Sequence, residues 1–133
     1  MRSIWFGRIV LLAATAVLLR VGLAYVIDPV AAVVESRISL GSAGAATAMR
    51  VSGALFVAIA LVLLACWSPR RLLSGLGVLT VVAVAVTTVR LVGLIVDGSD
   101  PFTLEVLRPE IALVVVSVAA LAVERRRSAA ARH

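Results

Sequence analysis

The sequence predicts an all-α fold, a four-transmembrane-helix bundle, and three observations carry that expectation. Of the 133 residues, 62% are hydrophobic, and the mean hydropathy is +1.15. A soluble domain of this size keeps too large a surface-to-volume ratio to hide that much apolar side chain. Four apolar segments, Ile4–Ile27, Ala45–Trp67, Leu72–Val96 and Phe102–Val123, are each long enough to cross a hydrocarbon core about 30 Å thick. All four are rich in Leu, Val and Ala without alternation, which favours helices over barrel strands.

The first span opens with Arg2 and Arg8 ahead of its apolar run, as a secretory leader would. That run continues past leader length and carries Arg20, so it is read as a retained span. Asp28-Pro29 then puts a capping side chain before a proline suited to a first helical position. The segment it opens, Pro29–Ile38, is too short and too charged to cross. Val30, Val33, Val34 and Ile38 alternate there with Glu35 and Arg37, as in a short interfacial helix. Ser39–Gly44 reads as a flexible turn into the second span. Ser68-Pro69 and Asp100-Pro101 are expected to open the third and fourth spans by the same cap-and-proline device.

Orientation follows from the arginines. The second connector holds Arg70 and Arg71, and Arg125, Arg126, Arg127 and Arg132 follow the fourth span. The third connector holds Asp97 and Asp100 and no basic residue. Basic residues are retained on the cytoplasmic side, so both termini are expected inside (N-in/C-in) in a plasma or inner membrane. Trp5 and Trp67 fall at the inner interface, Tyr25 and Phe102 at the outer one, as an aromatic belt requires. The Arg125–Arg127 run reads as a topology anchor that also touches anionic lipid.

Composition closes off other classes. The net charge of +6 sits at the ends of apolar runs and not across a polar face, so no nucleic-acid partner is expected. One cysteine, Cys66, makes neither an internal disulfide nor a redox pair, and reads as an apolar filler. One histidine, His133, builds no metal site, and no cofactor is implied. Gly53 and Gly93 read as helix-packing notches.

The informative residues are the ionisable ones inside the spans. Arg20 lies seven residues before the outer end of the first span, Arg50 five into the second, Arg90 six before the outer end of the third, and Glu110 eight into the fourth. At 1.5 Å per residue each is expected roughly 7–12 Å below the outer boundary, all in one layer. Such groups cost about 2.5–3.5 kcal/mol each to insert, so they face protein and pair. Three arginines against one glutamate leave an excess of positive charge. One turn higher, Glu105 and Arg108 are spaced to pair with each other. Pro109 removes a backbone hydrogen bond and is expected to kink or unwind its helix, freeing a carbonyl toward the site. The candidate ligand-binding set is therefore Arg20, Arg50, Arg90 and Glu110, with Arg108, Glu105 and Asp97 beside them. The plainer readings are that Arg50 and Arg108 snorkel to lipid phosphates and that Arg20, Arg90 and Glu110 serve interhelix salt bridges.

Tyr25 and Pro29, Arg50-Val51-Ser52-Gly53-Ala54, and the spacing Arg90, Asp97-Gly98, Pro101, Glu110 together resemble the bacterial four-helix membrane proteins of domain-of-unknown-function family 4345. The likeness runs over nearly the whole chain, with departures at Ala54, where a second glycine is expected, and at an extra Ser99. It implies a fold and a set of positions; the family has no assigned activity.

Three functional expectations follow. The first is binding, with or without transport, of an anionic amphipath or lipid headgroup in an arginine-lined pocket of the outer half of the membrane. The second is an accessory subunit of a larger membrane protein complex, or a homo-oligomer, packed through its apolar faces. The third, a lipid-modifying enzyme, ranks last: no nucleophile–base pair is visible, and no catalytic residue is assigned.

Overall fold

The computed structural model describes residues 2–34, 41–96, 98 and 101–130. Among them every regular element is a helix: α1 (Arg2–Ile27), α2 (Pro29–Val34), α3 (Ala43–Ala65), α4 (Leu72–Val96) and α5 (Pro101–Ala130). The four long helices match the four expected spans to within two residues, except at the end of α5. That helix runs on through the arginine cluster to Ala130 instead of stopping near Val123. Each long helix contains a window of mean hydropathy 2.1 or more, and at most 28% of any such window is buried. Protein therefore covers little of this apolar surface. Only a hydrocarbon medium covers the rest without a large free-energy cost.

The helix starts follow local hydrogen bonding. Asp28 caps α2 as its sequence requires: its Oδ1 accepts from the Ala31 N–H at 3.0 Å, and its carbonyl accepts from the Ala32 N–H at 3.0 Å. Residues 35–40, which complete the expected interfacial segment, lie outside the described residues, as do Asp97, Ser99, Asp100 and the Phe102 side chain. The expected flexible turn ends earlier than Gly44, because Ser42 caps α3 through an Oγ that accepts from the Ala45 N–H at 3.2 Å. Ser68-Pro69 does not open α4 directly. The Arg71 N–H bonds to the Ser68 carbonyl at 3.0 Å, closing a four-residue turn with Pro69 second, and α4 begins at Leu72. Proline's fixed φ suits that turn position as well as it suits a first helical one.

The chain divides into two compact units, Leu12–Ala65 and Met1–Leu11 with Cys66–His133. In the first, the backbones of α1 and α3 touch. A Cβ placed on Gly22 would lie 2.8 Å from the Gly53 carbonyl oxygen and 3.0 Å from the Val57 nitrogen. One placed on Gly53 would lie 2.6 Å from the Gly22 carbonyl oxygen and 3.0 Å from the Val26 nitrogen. Gly53 is thus the packing notch its sequence suggested, and Gly22 is its counterpart. Gly22 faces the turn from Gly53 to Val57, and Gly53 the turn from Gly22 to Val26, so the two helices run antiparallel. The Tyr25 and Phe56 rings, 6.2 Å apart, close the same contact from the side.

In the second unit, Gly7 admits Leu72 and Leu76 of α4, and Gly75 admits both Cys66 and Leu11. Cys66 is half-buried in this contact and packs as a small apolar side chain. Leu72, Leu76, Leu79 and Ala83 are buried along one face of α4, and Ser117, Ala120 and Glu124 along one face of α5.

Gly22→Ala and Gly53→Ala should each push the facing backbone away and lower stability by about 1–3 kcal/mol. Gly77→Ala, which meets nothing within 4 Å, should be neutral or stabilising by up to about 1 kcal/mol. Thermal midpoints of the three variants in one mild detergent measure this contrast.

Candidate functional site

Arg90 and Glu110 meet as their spacing suggested. The Arg90 Nε–H donates to Glu110 Oε2 at 2.7 Å across α4 and α5, with side-chain exposures of 28% and 17%. Each charge is matched by the other, so the pair reads as an interhelix salt bridge; among the described residues one oxygen of Glu110 and both terminal nitrogens of Arg90 take no further partner. α5 stays helical through Pro109, so the expected unwinding does not occur. The proline costs the helix one hydrogen bond, to the carbonyl of Glu105, and the flanking turns hold the geometry.

Glu105 and Arg108 do not pair. Both are exposed, and neither takes part in an ion pair among the described residues. The attraction between two long solvated side chains is small against the rotamer freedom they would lose. Asp97 lies outside the described residues.

Arg20 and Arg50 belong to the Leu12–Ala65 unit, and they do not share a level. In the antiparallel register set by Gly22 and Gly53, Arg50 stands opposite Ile27, seven residues beyond Arg20. That is about 10 Å along the helix axis. Arg50 is exposed at the level where α1 ends, and a single layer of charges does not describe these two residues.

Arg20 instead lines an open cleft of about 570 Å³ along α1 and α2. Arg20, Ala24, Asp28 and Ala31 recur at helical spacing on one face, with Val21 and Tyr25 beside them. The face crosses the break between α1 and α2, where Pro29 offers no N–H to the Tyr25 carbonyl. Arg20 is exposed and joins no ion pair among the described residues, although Asp28 lines the same cleft. Asp28 was legible as a helix cap, and its second role was not. Its side chain lines the cleft together with Ala31 and Ala32 of α2.

Two further charged residues escaped the sequence reading. Arg8 lies against two indoles, its guanidinium 5.7 Å from the Trp5 ring and 5.7 Å from the Trp67 ring. Its Nε is buried without a hydrogen-bond partner. The spacing of Trp5 and Arg8 by one helical turn was the available signal. Glu124 is 2% exposed and accepts from Arg127 Nε at 3.1 Å and from its Nη2. That pair faces one side of α5, while Arg125 and Arg126 are exposed on the other. Among the described residues no cluster of His, Cys, Asp and Glu is arranged to hold a metal ion.

The length and composition of its four long helices mark the chain as a multi-pass helical membrane protein. Comparison with protein-family models, with curated proteins and with solved structures found no match. The resemblance drawn above therefore rests on the quoted residues alone.

If Arg90 and Glu110 support each other, removing one leaves an uncompensated charge beside lipid. Arg90→Met and Glu110→Gln should each destabilise more than expected from the double variant. The coupling should be about 1–2 kcal/mol in a double-mutant cycle of thermal midpoints. A coupling near zero would show that each side chain finds water by itself.

Proposed function

We propose that this protein binds the anionic headgroup of a membrane lipid, or of a similar amphipath, in the cleft that carries Arg20. The observation behind this reading is an exposed arginine without a carboxylate partner among the described residues, in an open cleft whose other walls are largely apolar. A guanidinium presents five donors in a planar fork suited to phosphate or carboxylate. Apolar walls beside it accept the first carbons of an acyl chain. Arg90 is assigned no part in such binding, since Glu110 already offsets its charge. Arg50, one face higher and exposed, is placed to draw anionic groups toward the cleft.

The accompanying topology is N-in/C-in in a plasma or inner membrane. Arg70, Arg71, Arg125 and Arg126 are retained inside, α2 lies at the outer surface, and the cleft opens to the outer leaflet. A C-terminal reporter should then be active only when it reads the cytoplasm. External accessibility of that tag would reverse the assignment.

A second reading, an accessory subunit of a larger membrane complex or a homo-oligomer, draws support from apolar side chains exposed on all four long helices, among them Val17, Leu55, Val89 and Val115. Copurification at fixed stoichiometry in mild detergent is its measurement. No catalytic role is proposed.

Lipid binding is tested by native mass spectrometry of protein taken from vesicles of phosphatidylethanolamine and phosphatidylglycerol in equal proportion. Arg20→Gln should reduce retained phospholipid about tenfold, the effect of losing one charge-assisted contact, without changing the thermal midpoint. Retention equal to that of the parent protein would rule out the Arg20 cleft as the site.

A further inference from the structure

The cleft carries both signs of charge. Arg20 and Asp28 both line it, eight residues apart along the chain. Their backbones are about 12 Å apart along the axis, and they form no ion pair with each other. Asp28 is partly committed: its Oδ1 accepts from the Ala31 N–H that opens α2. Its Oδ2 makes no hydrogen bond among the described residues and is available on an exposed side chain. A cation and a half-used carboxylate set apart along one cleft are matched by a ligand that is itself a dipole.

Resting on the headgroup reading above, we propose that the cleft selects a zwitterion, an aminoalkyl phosphate. Its phosphate lies on Arg20 and its ammonium on Asp28 Oδ2. The flexible stem of Arg20 and the length of the ligand bridge the distance between the two charges. Asp28 acts as the discriminating residue. An ammonium gains a charge-assisted hydrogen bond there, whereas a headgroup with net negative charge and only hydroxyls meets an uncompensated carboxylate. The apolar lining of Val21, Ala24 and Ala31 favours a lipid-borne zwitterion over a free one.

The test uses the full-length protein and the same mixed vesicles. The parent protein should carry phosphatidylethanolamine over phosphatidylglycerol by about fivefold, the size of a partly exposed ion pair. Asp28→Asn keeps a side-chain carbonyl to cap α2 and removes only the charge. This variant should stay folded, keep its total bound phospholipid and lose the preference. Soluble phosphoethanolamine separates the two sources: failure to displace the lipid supports a lipid-borne headgroup, and displacement at comparable concentration assigns the cleft to a free zwitterion. Phospholipid retained in an Arg20-dependent manner but without preference, or a preference that survives Asp28→Asn, overturns the zwitterion proposal while leaving headgroup binding intact. Retention that ignores Arg20→Gln overturns both.

Discussion

The constraint on which this structure depends is that hydrocarbon offers no hydrogen bonds. Backbone polar groups must be satisfied within each segment, which is why the described elements are helices and why the spans are continuous even through Pro109. The same constraint governs side chains. An ionisable group within a span finds a partner, lies against aromatic faces, or reaches water along a cleft. Arg90 takes the first course with Glu110, Arg8 the second with Trp5 and Trp67, and Arg20 the third.

Without a hydrophobic force to drive helices together in lipid, close packing has to come from shape. Gly22 and Gly53 let two backbones approach until a single added carbon would collide with carbonyl and amide atoms. This contact sets the antiparallel register of α1 and α3, and the register separates Arg20 from Arg50. Pro29 completes the arrangement by ending α1 and redirecting the chain into α2. Asp28, at the break between the two helices, serves both as a cap and as a cleft wall.

The functional reading rests on the contrast between neutralised and unneutralised arginines. Arg127 and Arg90 each hold a carboxylate, and their charges are largely spent on the fold. Arg20 has no such partner among the described residues and lines an open cleft. Charge of this kind is costly near hydrocarbon unless something anionic accompanies it. The membrane itself supplies anionic phosphates in quantity.

By itself the sequence determined the class of fold, because span length and unbroken apolarity depend on no tertiary contact. It also pointed to the Arg90–Glu110 pair, since a short connector returns α5 alongside α4 and brings the two residues to one level. The cap at Asp28 was legible for the same local reason. The tertiary structure decided what depends on register and bend. Arg20 and Arg50 do not share a level, Glu105 and Arg108 stay apart, Glu124 turns inward from a run of arginines, and Asp28 faces the cleft of Arg20. Helical periodicity assigns a residue to a face, but the approach distance of two helices and the angle at a proline determine what that face meets.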